Sequence, residues 1–212
     1  MSSAQQRSRH HEQRQNTRRE ILAAADQFLR ERPYRELSVE ILMTGSGLTR
    51  TAFYRHFDDV SDLVLRLLAD VGGELYGVAE HWVQEAQVAN DTELAFLQAA
   101  GEGLRGIVAF FHQNGPLVRA IAEAATTDAR IERAYNGFLD RFTELTAYGL
   151  ERMIERGRIE PLDPWPVARA LNLMNERYLL AEYGRGSGVD PEVAFATLAT
   201  VWLRTIAPIT PK

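Results

Sequence analysis

From Ile21 to Ile206 the apolar residues recur at three- and four-residue intervals, and no run of alternating residues is long enough to build a sheet. Such a chain can hide its apolar surface only by packing helix against helix, so the fold class is all-α. With 212 residues, 45% of them apolar, there is material for one large domain or two small ones around a substantial core. No cysteine is present, which removes disulfides, thiolate metal sites and a cysteine nucleophile together.

Punctuation divides the pattern into about nine helices. Residues 1–16 are polar, carry Arg7, Arg9, His10, His11 and Arg14, and lack an apolar period, so they are expected to be a flexible basic arm. Thr17 and Glu20 have the spacing of a capping box, placing a helix start there, with Ile21, Leu22, Ala25, Phe28 and Leu29 on its inner face and Pro33 at its end. Ser38 can cap a second, short helix that Gly45-Ser46-Gly47 breaks. Thr49 can cap a third through His56, and Asp59 a long amphipathic one bearing Leu63, Val64, Leu67, Leu68, Val71, Leu75 and Val78. Helical spacing then covers Thr92 to about His112, Pro116 to about Ala125, and Asp128 to about Arg156. Two further helices run from about Pro164 to Tyr183 and from Pro191 to Ile206.

The formal net charge of −5 conceals an asymmetry. Residues 1–57 hold ten arginines against six acidic groups, while residues 58–212 are strongly acidic. A basic head containing three short helices, with a glycine turn between the second and third, fits a helix-turn-helix. In the third helix Leu48, Ala52, Phe53 and Phe57 can face inward. Arg50, Thr51, Tyr54 and Arg55 then lie on the outer side, where base edges and phosphates are reached. Arginines over residues 7–19 precede this unit, placed to follow a DNA backbone or to remain a solubilising tail. The run Leu37 to Phe57, L-S-V-E-I-L-M-T-G-S-G-L-T-R-T-A-F-Y-R-H-F, resembles the helix-turn-helix signature of the TetR family of bacterial transcriptional regulators. The resemblance implies an all-α homodimer with a DNA-binding domain over residues 17–57 and a ligand-binding and dimerisation domain over residues 58–212. It also implies double-stranded operator DNA as partner. The candidate DNA-contacting residues are Arg14, Arg18, Ser38, Thr49, Arg50, Thr51, Tyr54, Arg55 and His56.

The acidic body has its own anomaly. In A-L-N-L-M-N-E-R-Y-L-L-A-E-Y, Ala170 to Tyr183, the residues Asn172, Asn175 and Glu176 share one helix face bordered by Leu179 and Leu180. Buried amides and carboxylates require partners, and one solution is a cavity where they orient a ligand. A polar stripe at a subunit interface, or one in solvent, fits the same spacing. The string N-L-M-N-E-R, with R-T-A-F-Y upstream and Trp202 downstream, resembles the EthR-like branch of the family. That resemblance implies an apolar channel lined by Ile107, Phe110, Tyr135, Leu139, Phe142, Thr146, Asn172, Asn175, Glu176 and Trp202, open to a small apolar or amphipathic effector. Read singly, the aromatics among these are ordinary core residues.

The expected function is therefore a ligand-responsive regulator, a repressor released from a near-palindromic operator. The alternatives are an activator of the same fold and a helical ligand-binding protein that never touches DNA. Catalysis is not expected: His10, His11, His56, His81 and His112 fall in no metal or triad spacing, and no cofactor motif is present. No stretch approaches the length of a membrane helix. Arg18-Arg19 is followed by Glu20, Asp26 and Arg30 rather than an uncharged export segment, so a cytoplasmic location without membrane partners is expected.

Overall fold

A computed structural model describes residues 3–88, 93–186 and 188–206. Among these residues there are eight α-helices and one 3-10 turn: α1 Ser3–Glu31, the turn Tyr34–Glu36, α2 Val39–Ser46, α3 Arg50–Tyr54, α4 Val60–Val88, α5 Glu93–Ala125, α6 Ala129–Glu155, α7 Pro164–Tyr183 and α8 Pro191–Thr205.

Two expectations are corrected here. The helix expected to start at Thr17 starts at Ser3, so the expected flexible arm is largely the first half of α1. Residues 3–16 hold no proline or glycine and several good helix formers, and nothing stops the helix from propagating. Thr17 does not cap; its hydroxyl donates to Gln13 O, 3.1 Å away, one turn back. The helices expected on either side of Gly115-Pro116 are one continuous α5, with Pro116 inside it. This merger is why eight α-helices stand where about nine were expected.

Local chemistry accounts for the short helices. Ser38 Oγ accepts from Ile41 N at 3.2 Å and Thr49 Oγ1 accepts from Ala52 N at 3.2 Å, each satisfying an orphan donor at a helix start. Gly47 closes α2 in the left-handed region (φ 70°), where its amide turns back to Met43 O and Thr44 O. Helix α2 thus runs through Gly45 and Ser46 and breaks only at Gly47. Phe53 and Met43 are fully buried against Ile21, Ala25 and Leu29 of α1 in a single core.

That core does not end at the boundary of the head. Helix α4 buries Leu63, Val64, Leu67, Leu68, Val71 and Leu75, and the same cluster continues through α5, α6 and α7 to Leu198 on α8. One polar tie reinforces the join, and a second holds α4 to α6. At the end of α1, Arg30 pairs with Asp26 at 2.8 Å and donates to Gln113 O at 2.8 Å and to Asn114 Oδ1 at 2.9 Å, in the turn of α5 preceding Pro116. Asn114 therefore serves the contact between head and body. At the start of α4, Asp59 caps through Asp62 N (2.8 Å), and Asp128 caps α6 through Arg130 N (2.7 Å). Arg130 bridges the two caps, at 2.8 Å from Asp59 Oδ2 and 3.1 Å from Asp128 Oδ2.

Helices α5 and α7 approach closely at Gly115, where a Cβ would lie 2.6 Å from Tyr183 O. Gly115→Ala should therefore cost about 1–3 kcal/mol through forced separation of the two helices. Gly73→Ala, at an exposed position of α4 with open space around it, should stabilise by about 0.4–1 kcal/mol. Denaturant unfolding checks both, and equal effects of the two substitutions would contradict the packing described. The Arg130 bridge makes a pH prediction. The Arg130 guanidinium, the Ser61 hydroxyl and the Arg130 amide hold Asp128 well below the usual carboxylate range. At Asp59 burial pulls upward, but the Asp62 amide and Arg130 outweigh it and the net shift is downward. Both carboxylates thus favour the folded state above pH about 4, and that contribution fades as acid protonates the unfolded chain first. Arg130→Gln should flatten the loss of stability below pH about 5, measured by urea unfolding at stepped pH; an unchanged slope would rule out the bridge as its source.

Candidate nucleic-acid interface and ligand cavity

The outer face of the head is built by α3 and the flank of α1. With Phe53 buried beneath it, α3 holds Thr49, Arg50, Thr51, Tyr54 and Arg55 toward solvent. Tyr54 is 53% exposed although large, and its ring meets Phe53 edge to face at 5.4 Å, which holds the phenol outward. The early start of α1 brings further cations to this surface. Arg14 Nη2 donates to Arg55 O at 3.3 Å, and the Arg18 guanidinium lies 5.7 Å from the Phe57 ring centroid. Gln13, Arg14, Thr17, Ala52, Arg55 and His56 line one shallow depression. Partial burial, then the charges of Arg14, Arg18 and Arg55, push His56 below its ordinary value. A group of cations that repels a proton from an imidazole has the field needed to hold a phosphate. Ser38 is half-buried at the start of α2, with its hydroxyl committed to the cap. The side chains of Arg7, His10 and His11 lie outside the described residues, as does that of His81.

Inside the body lies an apolar cavity of about 240 Å³ between α5, α6, α7 and α8. Of the residues singled out from sequence, Ile107, Phe142, Thr146, Asn172 and Trp202 line it. Ile107, Phe142 and Asn172 also line a smaller annex of about 30 Å³, together with Leu139, Asn175 and Glu176. Tyr135 lines neither space but donates to Glu176 Oε1 at 2.7 Å. Phe110 packs into the core edge-on to Phe111, outside both linings. Sequence reasoning passed over Leu104 and Leu145, and over Phe195, Ala199, Leu203 and Ile206 of the main cavity. Phe195, Ala199, Trp202 and Ile206 follow helical spacing along one face, so the period of α8 carried the missed signal.

The polar stripe of α7 faces inward. Asn175 is only 3% exposed, and Asn172 and Glu176 are half-buried. Asn172 Nδ2 donates to Thr146 Oγ1 at 3.0 Å, and Trp202 Nε1 donates to Asn175 Oδ1 at 3.1 Å. Burial, reinforced by the neighbouring Glu176 charge, raises the Tyr135 phenol far above its ordinary value, keeping it a donor. The arrangement can orient a mostly apolar molecule by a few polar contacts; among the described residues no group of three or more His, Asp or Glu side chains is placed to hold a metal.

Comparison with known proteins agrees with both halves. The family described as "Bacterial regulatory proteins, tetR family" matches residues 21–67, and that described as "Transcriptional regulator EthR, C-terminal domain" matches residues 100–207. The transcriptional regulator EthR of Mycobacterium tuberculosis is 30% identical over 194 residues, 88% of this chain and 85% of that protein. EthR of Mycolicibacterium smegmatis is 29% identical over 193 residues, covering 88% and 84%. A TetR-family regulator from Syntrophomonas wolfei superposes with a TM-score of 0.72 at 20% identity, over 92% of this chain and 97% of that one. PfmR from Thermus thermophilus superposes with a TM-score of 0.70 at 18% identity, over 90% and 99%. The chain belongs to the TetR family of bacterial transcriptional regulators, within its EthR-like branch.

Proposed function

We propose that the protein is a cytoplasmic repressor that binds a near-palindromic operator as a homodimer and is released by a small, largely apolar effector in the body. The observation that carries this reading is one continuous core joining an exposed, cationic helix-turn-helix face to an apolar cavity. A dimer is supported by apolar side chains on the outside of α7 and α8, where Trp165, Leu173, Val193 and Val201 are each 39–53% exposed. Two copies of α3 then enter successive major grooves about 34–36 Å apart. Arg50, Thr51, Tyr54 and Arg55 meet base edges and phosphates. Arg14, Arg18, Thr49 and His56 hold the backbone, and Ser38 sets the pitch of α2 through its cap.

An effector in the cavity biases the position of α4, whose Leu75 lines the annex and whose first turn carries the Asp59–Arg130 bridge. An effector that prefers the conformation with misplaced heads lowers operator affinity in proportion to that preference, typically about 5- to 150-fold. Phe110, without access to the cavity, supports its wall from behind, and Tyr135 acts through Glu176.

Gel shifts with genomic fragments test the assignment. Tyr54→Ala and Arg55→Ala should each weaken operator binding by about 1–3 kcal/mol while leaving the melting temperature nearly unchanged. Unchanged affinity in both variants would remove the DNA-binding face from α3. Apolar compounds that raise the melting temperature should also release DNA, and Asn172→Ala with Asn175→Ala should reduce that stabilisation. Full stabilisation retained in the double variant would place the effector elsewhere.

A further inference from the structure

Helices α5 and α8 pack along a seam, and one stretch of the main cavity's wall there is the ring of Phe195. Four residues close this stretch. Gly101 and Arg105 stand one turn apart on one face of α5, and Glu192 and Phe195 do the same on α8. Gly101 lines the cavity beside Phe195, and the tip of the ring lies 4.0 Å from where a Cβ would sit on Gly101. The Arg105 guanidinium covers one face of the ring, 3.8 Å from its centroid, and its Nη1 donates to Glu192 Oε1. Arg105 and Glu192 are exposed while Phe195 is half-buried, so the ring stands between a charged pair outside and the cavity within. The far end of α8 is held differently. Trp202 and Ile206 are set in a second apolar cluster with α6 and α7, and Trp202 is bonded to Asn175, so movement there breaks core packing. Phe195 is held on its outer side by exposed polar contacts instead.

We infer that Phe195 is the door of the cavity and that Arg105 with Glu192 is the strap that keeps it shut, so that an effector enters and leaves through the α5–α8 seam at a rate set by this strap. The inference rests on the reading of the main cavity as the effector site and adds the route and the residues that control it. For the ring to turn outward the guanidinium must leave its face, and in leaving it pulls away from Glu192. Each contact is weak at an exposed site, and together they slow opening about ten-fold. The strap lies outside the cavity lining, so it holds the door equally against an apolar molecule entering and one leaving. A group without differential contact to the two states changes their rate of exchange and leaves the equilibrium where it was. The speed of response is thereby set apart from effector affinity, by two charges that salt screens.

Stopped-flow fluorescence of the full chain with N-phenyl-1-naphthylamine, a neutral apolar dye, tests this. Arg105→Met keeps a flexible apolar stem and removes both strap contacts. It should raise the association and dissociation rate constants together by about ten-fold, with Kd within about two-fold of the parent and the melting temperature nearly unchanged. Glu192→Gln, which loses the ion pair and keeps the stacked guanidinium, should raise both by about three-fold. Sodium chloride raised from about 50 to about 500 mM should speed exchange in the parent and not in Arg105→Met. Unchanged rates in Arg105→Met, or faster dissociation alone with a weaker Kd, overturn the door. So do rates that fall with Leu203→Trp, at the exposed far edge of the cavity, while ignoring Arg105. Ile107→Trp, which fills the cavity from α5, should abolish dye binding; if circular dichroism shows that variant unfolded, Ala199→Phe fills it from α8. No binding to the parent, or binding that survives the filled cavity, overturns the cavity reading itself.

Discussion

The buried stripe of α4 is the surface against which both the helix-turn-helix and the helices around the body cavity rest. Leu63 and Val64 pack into the core that holds Phe53 and Phe57 in place, and Leu75 on the same stripe lines the annex. From Asp59 to Leu75 an α-helix rises about 24 Å, so one rigid element spans the distance between the two sites. Close packing makes such an element shift as a body rather than bend, because interiors have few voids to absorb a displacement. The Arg30 tie adds direction to this join by linking the last turn of α1 to the turn of α5 before Pro116, while Arg130 fixes the start of α4 to the start of α6. The helix-turn-helix and the body therefore share one core.

The cavity is consistent with the same economy of polar groups. Its wall is nearly all hydrocarbon and aromatic surface, and its polar atoms are confined to the α7 stripe and Thr146. Most of these are paired within the chain: Asn172 with Thr146, Asn175 with Trp202, Glu176 with Tyr135. Pairing holds each side chain in one rotamer before any ligand arrives, which lowers the ordering cost of binding. The unpaired Nδ2 of Asn175 is then an oriented donor in a site already built.

Much of this was legible in the sequence because the relevant physics is local. Ser38 and Thr49 cap where their side chains say they should, Gly47 takes the left-handed turn, and the apolar period of α4 names its buried face. The errors came where tertiary context or a decoy pattern won. Thr17 and Glu20 have capping-box spacing, but a box competes with helix propagation, and the polar residues before it propagate well. Pro116 normally ends a helix, but Gly115 lets α5 lie against Tyr183 and Arg30 engages the carbonyl and amide of the turn before the proline. Asn175 could be assigned to a shared face from its spacing. That the face pointed into a cavity, and that one of its donors was left unmet, depended on α8 folding back with Trp202, which no local rule specifies.

The central claim is that the head and the body are one cooperative unit joined through α4, since a cavity can control a distant DNA face only through such a join. Hydrogen exchange followed by mass spectrometry across a urea series measures this directly. The account predicts that amides of α2 and α3 lose protection at the same urea concentration as amides of α6 and α7. Loss of protection in α2 and α3 at clearly lower urea, with the body still folded, would contradict it.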